Sequence, residues 1–590
     1  MNAAGETVAR TGGIQAPASC RGESDAGMRW FHVPGLTMPM FRPLFLMLLL
    51  VSVAHARTTL PPSSKPTAPT EQSVSVHFPV SCDASVQADF DRAVTLLHHM
   101  TYPQARAAFQ TIAGRDPDCA MAQWGIAMTL FQPLWPTRPS AADLQQGWDA
   151  MQKARALPPP TARERDFIAS AAAFFQEPES SDYWARIARW ETAMAALHAA
   201  FPDDVEASAF YALALLASAR PGPGAQEHSR RAVELLEPVL RDNPSHPGAM
   251  HYMIHANDLP GREHNDLDIV QGYEKVAPDN PHALHMPTHI YTRLGDWDGV
   301  IRGNLRAEAA ALKYPAGDSG QYVTDEFPHA IEYLVYAYLQ QAEDQKAAAQ
   351  IKRLYATAHL EPTVKTAFHL ASTRARYALE RHAWAEAAAL TPRNPATVDW
   401  DSYPWPEAVT WFARGYGAAR RGKDAEARNA LGPLQELEGR AAKAGEEIFA
   451  RQIQILRLDL AAWAAHAMHD DESAIATLQQ AVELEAGTPK PAVTPAPTIP
   501  AAELLADLLA ELKRPREALA AYQISLQRFP KRFNSTLGAA RSFAAADDAA
   551  GAERMYCQLL ALAAHGNRAE IGEARRFVDG RKYRCVPGRP

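Results

Sequence analysis

The chain repeats itself at a fixed interval. Pro247-Gly-Ala-Met-His251-Tyr-Met-Ile-His255, closing at Gly261, returns as Pro281-His282-Ala-Leu-His285-Met-Pro-Thr-His289, closing at Gly295. Proline, alanine, both histidines and glycine coincide at an offset of 34 residues. A third copy, Pro328-His329-Ala330-Ile331-Glu332, follows an insertion at Lys313–Asp325, with Glu332 in the place of His285 and Tyr336 in the place of His289. A unit of this size cannot bury its own apolar face, so successive units must stack on one another. At 590 residues the chain is also too long for one compact core.

The units read as helix pairs. No stretch sustains the two-residue alternation of a strand, and Ala-, Leu- and Glu-rich windows dominate. Polar turns recur between apolar helices, as at Leu294–Val300, Arg421–Ala427, Leu512–Leu519 and Ala546–Ala552. Asp116-Pro117, Asn243-Pro244 and Asn280-Pro281 end one unit and start the next, because proline restricts the residue before it and cannot continue a helix. This pattern resembles the tetratricopeptide repeat, a helix-turn-helix of about 34 residues. Ala120–Gly125 and Ala518–Tyr522 are the most family-like stretches. The resemblance implies an all-α solenoid of helix pairs in a right-handed superhelix, covering most of the chain.

The termini set the compartment. Arg42, the apolar run Leu44–Val53 and Ala54-His55-Ala56 have the order of a signal peptide, with Arg57 as the first mature residue. Ten apolar residues are too few for a membrane anchor. The expected organisation is a leader and signal peptide over 1–56, a disordered linker over 57–78 and a solenoid over 79–486. A Pro-rich connector over 487–500 and C-terminal repeats over 501–590 follow. The connector is stiff and extended; it either bridges two sub-solenoids or lies across the groove. Cys82, Cys119, Cys557 and Cys585 remain after cleavage, an even number for an oxidising periplasmic or secreted setting. Pairing Cys82 with Cys119 and Cys557 with Cys585 would staple the ends of the array, which fray first; four free thiols are the alternative. A net charge of −8 spread over this length gives no basic field for nucleic acid and no polybasic patch for membranes.

Chemistry is concentrated in the self-similar segment. His251/His255 and His285/His289 are i, i+4 pairs, so each pair shares one helix face. Neighbouring helices about 8–10 Å apart would bring these imidazoles, with His282, His329 and Glu332, toward one point on the concave wall. Three readings stay open. A transition-metal site (Zn, Cu or Fe) would be built from His251, His255, His285 and His289, with His282, His329 and Glu332 as further ligands or as partners behind them, and could activate water or oxygen with Asp258 or Glu332 as base. A polar groove would bind a peptide or helix without metal. A metal-free acid–base site would use histidine with Glu332 or Asp258 as the catalytic base. Clustered imidazoles also titrate in the physiological range, which admits a pH sensor. Pro287 inside the His285/His289 helix predicts a break there. His98 and His99 read as a polar edge, and Trp124, Trp135 and Trp405 as packing residues.

The stretches His246–Asp258, Pro281–Trp297 and His329–Gln340 together resemble a family of bacterial exported tetratricopeptide-repeat proteins that is His-rich at these positions and acidic at Glu332. The resemblance runs from about Cys82 to the C-terminal repeats. It implies the fold and export, and a protein or peptide partner, with no settled activity. No phosphate loop, nucleophile elbow, H-E-x-x-H or C-x-x-C is present.

Overall fold

The computed structural model describes residues 76–135, 138–157, 161–180, 182–219, 224–317, 320–580 and 585. The leader and signal peptide assigned to 1–56 lie outside them. Among the described residues the fold is all-α. Paired helices succeed one another from Gln87 to Gly580, and the one small sheet, Pro315–Ala316 against Tyr322–Val323, sits in the insertion at Lys313–Asp325. No described helix is long and apolar enough to cross a membrane.

Local chemistry sets the helix starts. Asp204, Asn280, Asp296 and Asp548 each accept a backbone N–H of the first turn, and Ser140 and Thr161 form reciprocal capping boxes with Asp143 and Glu164. Cys82–Cys119 and Cys557–Cys585 are both formed, one at each end of the described array. Each restricts the unfolded chain by about 2–4 kcal/mol. The linker assigned to 57–78 ends early: Val76 and Phe78 are buried, Phe78 against Phe90, Trp124 and Phe167. Val76 and Phe78 alternate with polar neighbours, so one face of a short extended segment supplies the contact.

The array folds back on itself instead of leaving an open groove. Helix Gln87–His98 packs on helix Pro247–Asn257, with Tyr252 Oη 2.9 Å from His98 Nδ1. The C-terminal repeats return to the middle of the chain. Trp297 Nε1 donates to the Lys531 carbonyl at 3.1 Å, and the Phe533 N–H donates to Gln340 Oε1 at 2.9 Å. Gly295 sits in this contact. It takes a φ of +62°, and an added Cβ would meet the Pro530 carbonyl at 2.8 Å. Helix Glu326–Gln340 is consequently buried on every side from Phe327 onward.

The segment Gly487–Pro500 lies inside this closed face. Val493, Ala496 and Ile499 are buried. Arg376 holds the segment by donating to the Pro497 carbonyl at 2.7 Å, to Thr494 Oγ1 at 2.9 Å and to the Ala496 carbonyl. Proline-rich chain suits the place: it has few N–H groups to leave unpaired, and its outward carbonyls find a guanidinium.

Candidate metal centre

Five elements bring histidines to the inner face. Helix Pro247–Asn257 carries His251 and His255; the paired helices Pro281–His285 and Pro287–Leu294 carry His282, His285 and His289; helix Glu326–Gln340 carries His329; helix Val364–Leu379 carries His369. The break expected at Pro287 is present. Met286 keeps helical angles (φ −52°, ψ −42°), and the His289 N–H bonds the Met286 carbonyl at 3.1 Å in place of the missing ladder bond. The axis continues, so His285 and His289 stay one turn apart.

The imidazoles gather at two points, not the single point that spacing implied. His251, His255 and His282 form one triad, and His285, His289 and His329 the other; within each, one ligand atom per residue lies within 4.8 Å of the rest. Both follow one rule. The i, i+4 pair of one repeat is completed by the histidine that follows the proline of the next repeat. In the first triad, His251 Nε2 lies 3.2 Å from His255 Nε2 and 3.2 Å from His282 Nε2. In the second, His285 Nε2 and His289 Nε2 are 2.9 Å apart. One ion bound at 2.0–2.1 Å separates cis nitrogens by roughly 2.9–3.6 Å, so both spacings accommodate a shared ion.

The second triad is more telling because its protons can be assigned from the neighbours. His285 Nδ1 lies 2.7 Å from Asn304 Oδ1, and the Asn304 amide is oriented by its own donation to the Val300 carbonyl at 2.9 Å. His289 Nδ1 lies 3.1 Å from Asp258 Oδ2. His369 gives its Nδ1 proton to the Glu332 carboxylate, which leaves its Nε2 to accept from His329 Nδ1 at 3.1 Å. With an amide oxygen and a carboxylate as partners, the Nδ1 atoms of His285 and His289 donate, and their Nε2 atoms present lone pairs. Two lone pairs at 2.9 Å repel unless a cation lies between them. This arrangement, with each imidazole N–H tied to an oriented acceptor, is the outer shell that fixes metal-binding histidines. In the first triad His251 Nδ1 likewise donates, to the His98 carbonyl at 2.6 Å, and His282 Nδ1 faces Glu326 Oε1 at 3.3 Å.

Burial keeps these rings neutral. It pushes His285, His251 and His329 well below the usual imidazole range, with neighbouring histidines adding to the effect, and takes His255 down to about 3. Burial also lowers His289, against the pull of Asp258. The lone pairs are thus available to a cation at neutral pH. Burial would raise the carboxylates behind them, but Arg293 and Lys490 hold Asp258 well below its ordinary range, and Lys365 does the same for Glu326. Glu332 is also lowered, against burial, by its hydrogen bond to His369 and by Arg376.

Glu332 and Asp258 both stand behind imidazoles, which for Glu332 is one of the two places the sequence reading allowed. Glu332 is completely buried, and its oxygens accept from Ser372 Oγ at 2.6 Å, Arg376 Nε at 3.0 Å and His369 Nδ1. It stands one imidazole away from the second triad, neither a direct ligand nor a free base. Asp258 has one oxygen on His289 and the other on Arg293. Each carboxylate holds one imidazole of the cluster by its Nδ1. The replacement of His285 by Glu at the third repeat shifts the function of the position because no further i, i+4 histidine pair follows it.

Other residues escaped the sequence reading. His98 and His99 are buried, not a polar edge. His98 Nε2 lies 2.8 Å from Glu206, which also receives His246 Nε2 at 3.1 Å. An added Cβ on Gly248 would lie 2.3 Å from His98 Nδ1, so glycine occupies the position where the next repeats carry His282 and His329. His369 sits outside the repeat register that marked the others. Only its place on an Ala- and Thr-rich helix, with a nearby arginine, offered a signal.

A small cavity of about 10 Å³, room for about one water molecule, joins the triads: His255 and His282 line it from one, His289 and His329 from the other, and Ala492 of the Pro-rich segment closes it. A larger cavity of about 300 Å³ adjoins it and shares Met100, Trp135 and His282. Trp135 stands between them, its ring 5.6 Å from His282 and 4.4 Å from Lys365 Nζ. Trp124 packs in the core, and Trp405 stacks between Phe368 and Phe449.

No family model matches the chain, and no curated protein matches it. Among solved structures it is similar to the APC/C hetero-tetramer Cut9–Hcn1, with 13% identity over 84% of this chain and 96% of that one and a TM-score of 0.26. It is also similar to the human IFIT1 dimer with m7Gppp-AAAA, with 14% identity over 75% and 90% and a TM-score of 0.36. At these scores neither likeness bears on what the inner face does.

Proposed function

We propose that this chain is an exported metal-binding protein whose closed inner face holds transition-metal ions on histidine triads. The observation that carries the reading is the gathering of His285, His289 and His329, one ring nitrogen of each within 4.8 Å of the others, with the Nε2 atoms of His285 and His289 2.9 Å apart while their Nδ1 atoms face Asn304 and Asp258. Zinc, copper and iron suit an imidazole set. An ion on three imidazoles keeps a coordination position open, and the chemistry it would supply is activation of bound water or oxygen. The protein's own contribution is to fix the ring orientations through Asn304, Asp258 and the His369–Glu332 pair, and to exclude bulk water. Two disulfides support an oxidising compartment.

Groove binding of a peptide is the rival. Helical-repeat scaffolds commonly bind protein partners, but here Gly487–Pro500 already fills the inner face, so a peptide would have to displace a segment held by Arg376. A partner would more simply meet the outer surface.

Elemental analysis of untagged protein, wild type beside His285→Ala/His289→Ala, tests the proposal. At least one equivalent of metal in the wild type, lost in the variant, is expected. No metal in either, even after reconstitution with zinc, copper and iron in turn, refutes it.

A further inference from the structure

The two triads line one cavity, and that raises the question of which ions can share it. The donor set consists of six imidazoles with no thiolate. The carboxylates that stand behind them are already matched by cations. Asp258 faces Arg293 and lies 3.9 Å from Lys490 Nζ, Glu326 bonds Lys365 at 2.7 Å, and Glu332 bonds Arg376 at 3.0 Å. Asp325 also bonds Lys365, at 2.6 Å, so four carboxylates face four cationic groups and none is left over. Two divalent ions would add four positive charges with nothing left to offset them at low dielectric. Two monovalent ions add half as much. Cuprous copper is the monovalent first-row ion, and imidazole is among the donors that suit copper.

We propose that the triads form one dinuclear copper centre, with His251, His255 and His282 holding one ion and His285, His289 and His329 the other, and that the cavity between them takes up dioxygen. This rests on the metal-binding reading above. The cavity has room for about one water-sized ligand, which limits the bridging molecule to one or two heavy atoms. The electron count closes without another reactant. Each cuprous ion would give one electron and become cupric, and dioxygen would take both, its O–O double bond becoming a single bond. The resulting dianion supplies the negative charge that the surrounding side chains lack. Dioxygen can enter from the larger cavity past Trp135 and His282, which line both spaces.

The test is anaerobic titration of metal-free, full-length protein with cuprous ion against a competing chelator, followed by admission of air. The wild type should bind two copper ions per chain. After oxidation it should show little or no cupric electron paramagnetic resonance, because the two spins couple through a shared ligand, and acid unfolding should then release the full two-spin signal. His251→Ala/His255→Ala should keep one ion and become visible to resonance once oxidised. Should that variant fail to fold, His255→Gln, at the one ring of the triad that is partly exposed, serves the same comparison. Two copper ions that are each fully visible in the wild type, binding of a single ion, or a preference for zinc over cuprous ion at equal free concentrations would each overturn the proposal. A wild type that binds zinc or iron but not copper defeats this inference alone. Failure to bind any of the three defeats the metal reading itself.

Discussion

His98, Glu206 and His246 in one place, and His285, His289 and His329 in another, are both triads of buried side chains within reach of one another. Their proton inventories differ. In the first, His246 Nδ1 accepts the Ala249 N–H at 3.1 Å, its Nε2 and that of His98 donate to the two Glu206 oxygens, and Tyr252 meets His98 Nδ1. Every donor has an acceptor, and the set is complete as it stands. In the second, the Nδ1 atoms of His285 and His289 face Asn304 and Asp258, and their Nε2 atoms face each other at 2.9 Å, the arrangement on which the proposed ion rests. Burial alone therefore does not separate the two sets; the direction in which the protons are tied does.

Removing Glu206 should produce the largest effect. Glu206→Ala leaves two buried imidazole N–H groups unpaired and should lower unfolding free energy by about 3 kcal/mol. Urea titrations with and without a chelator should show the same loss, and a loss confined to the metal-loaded protein would erase the distinction between the two triads. For the open set, the expected effect depends on metal. At a free ion concentration of a hundred times Kd the wild type should gain about 2.7 kcal/mol. His285→Ala/His289→Ala should gain nothing on adding metal, whatever the cavity it opens costs the metal-free protein. Thermal melts at fixed metal activity read this directly.

A finer division follows from the His369–Glu332 pair. His369→Ala removes the acceptor that orients His329 and should weaken the ion at the second triad about 10- to 100-fold, leaving the first triad's affinity unchanged. Competition with a chromophoric chelator resolves the two sites, and equal weakening at both would show that the pair serves the whole core.

The smallest effect concerns pH and contrasts the inner histidines with the C-terminal acids. Burial raises Asp459 well above its usual range, with Glu485 adding to it, and brings Glu485 and Asp507 up to about 7. In the unfolded chain these acids titrate near 3.8 to 4.5. Their contribution to stability is intact below that range and is lost as pH rises through about 7. Burial lowers His99 to about 3 and His382 to about 4, against 6.5 when unfolded. Their contribution is intact above 6.5 and is lost as pH falls toward 3 to 4. Stability should decline on both sides, and Asp459→Asn should recover about 1 kcal/mol at pH 8, since neither Asp459 oxygen has a hydrogen-bond partner. An unchanged alkaline limb in that variant would show that other groups govern it.

The choice between paired cysteines and free thiols waited for the structure, while the sequence by itself determined the repeat, its helical character and the identity of the imidazole-bearing positions. Each of these follows from short-range rules: a period of 34, caps and prolines at unit boundaries, and i, i+4 neighbours on one face. His282 and His329 were recognisable as equivalents because both follow the proline of their repeat. Only the tertiary structure decided how those positions divide. Two triads arise because a histidine from the next helix completes each pair, which depends on the offset between stacked helices and not on spacing along the chain. Glu332 and Asp258 became orienting groups because Arg376, Ser372 and Arg293 reached them first, from residues up to 44 positions away. His98 and His369 entered the site from helices outside the register. The Pro-rich segment, which sequence allowed in either of two places, lies in the core because Arg376 offers its carbonyls a buried guanidinium. Long-range packing chose among contacts that local chemistry had left equally available.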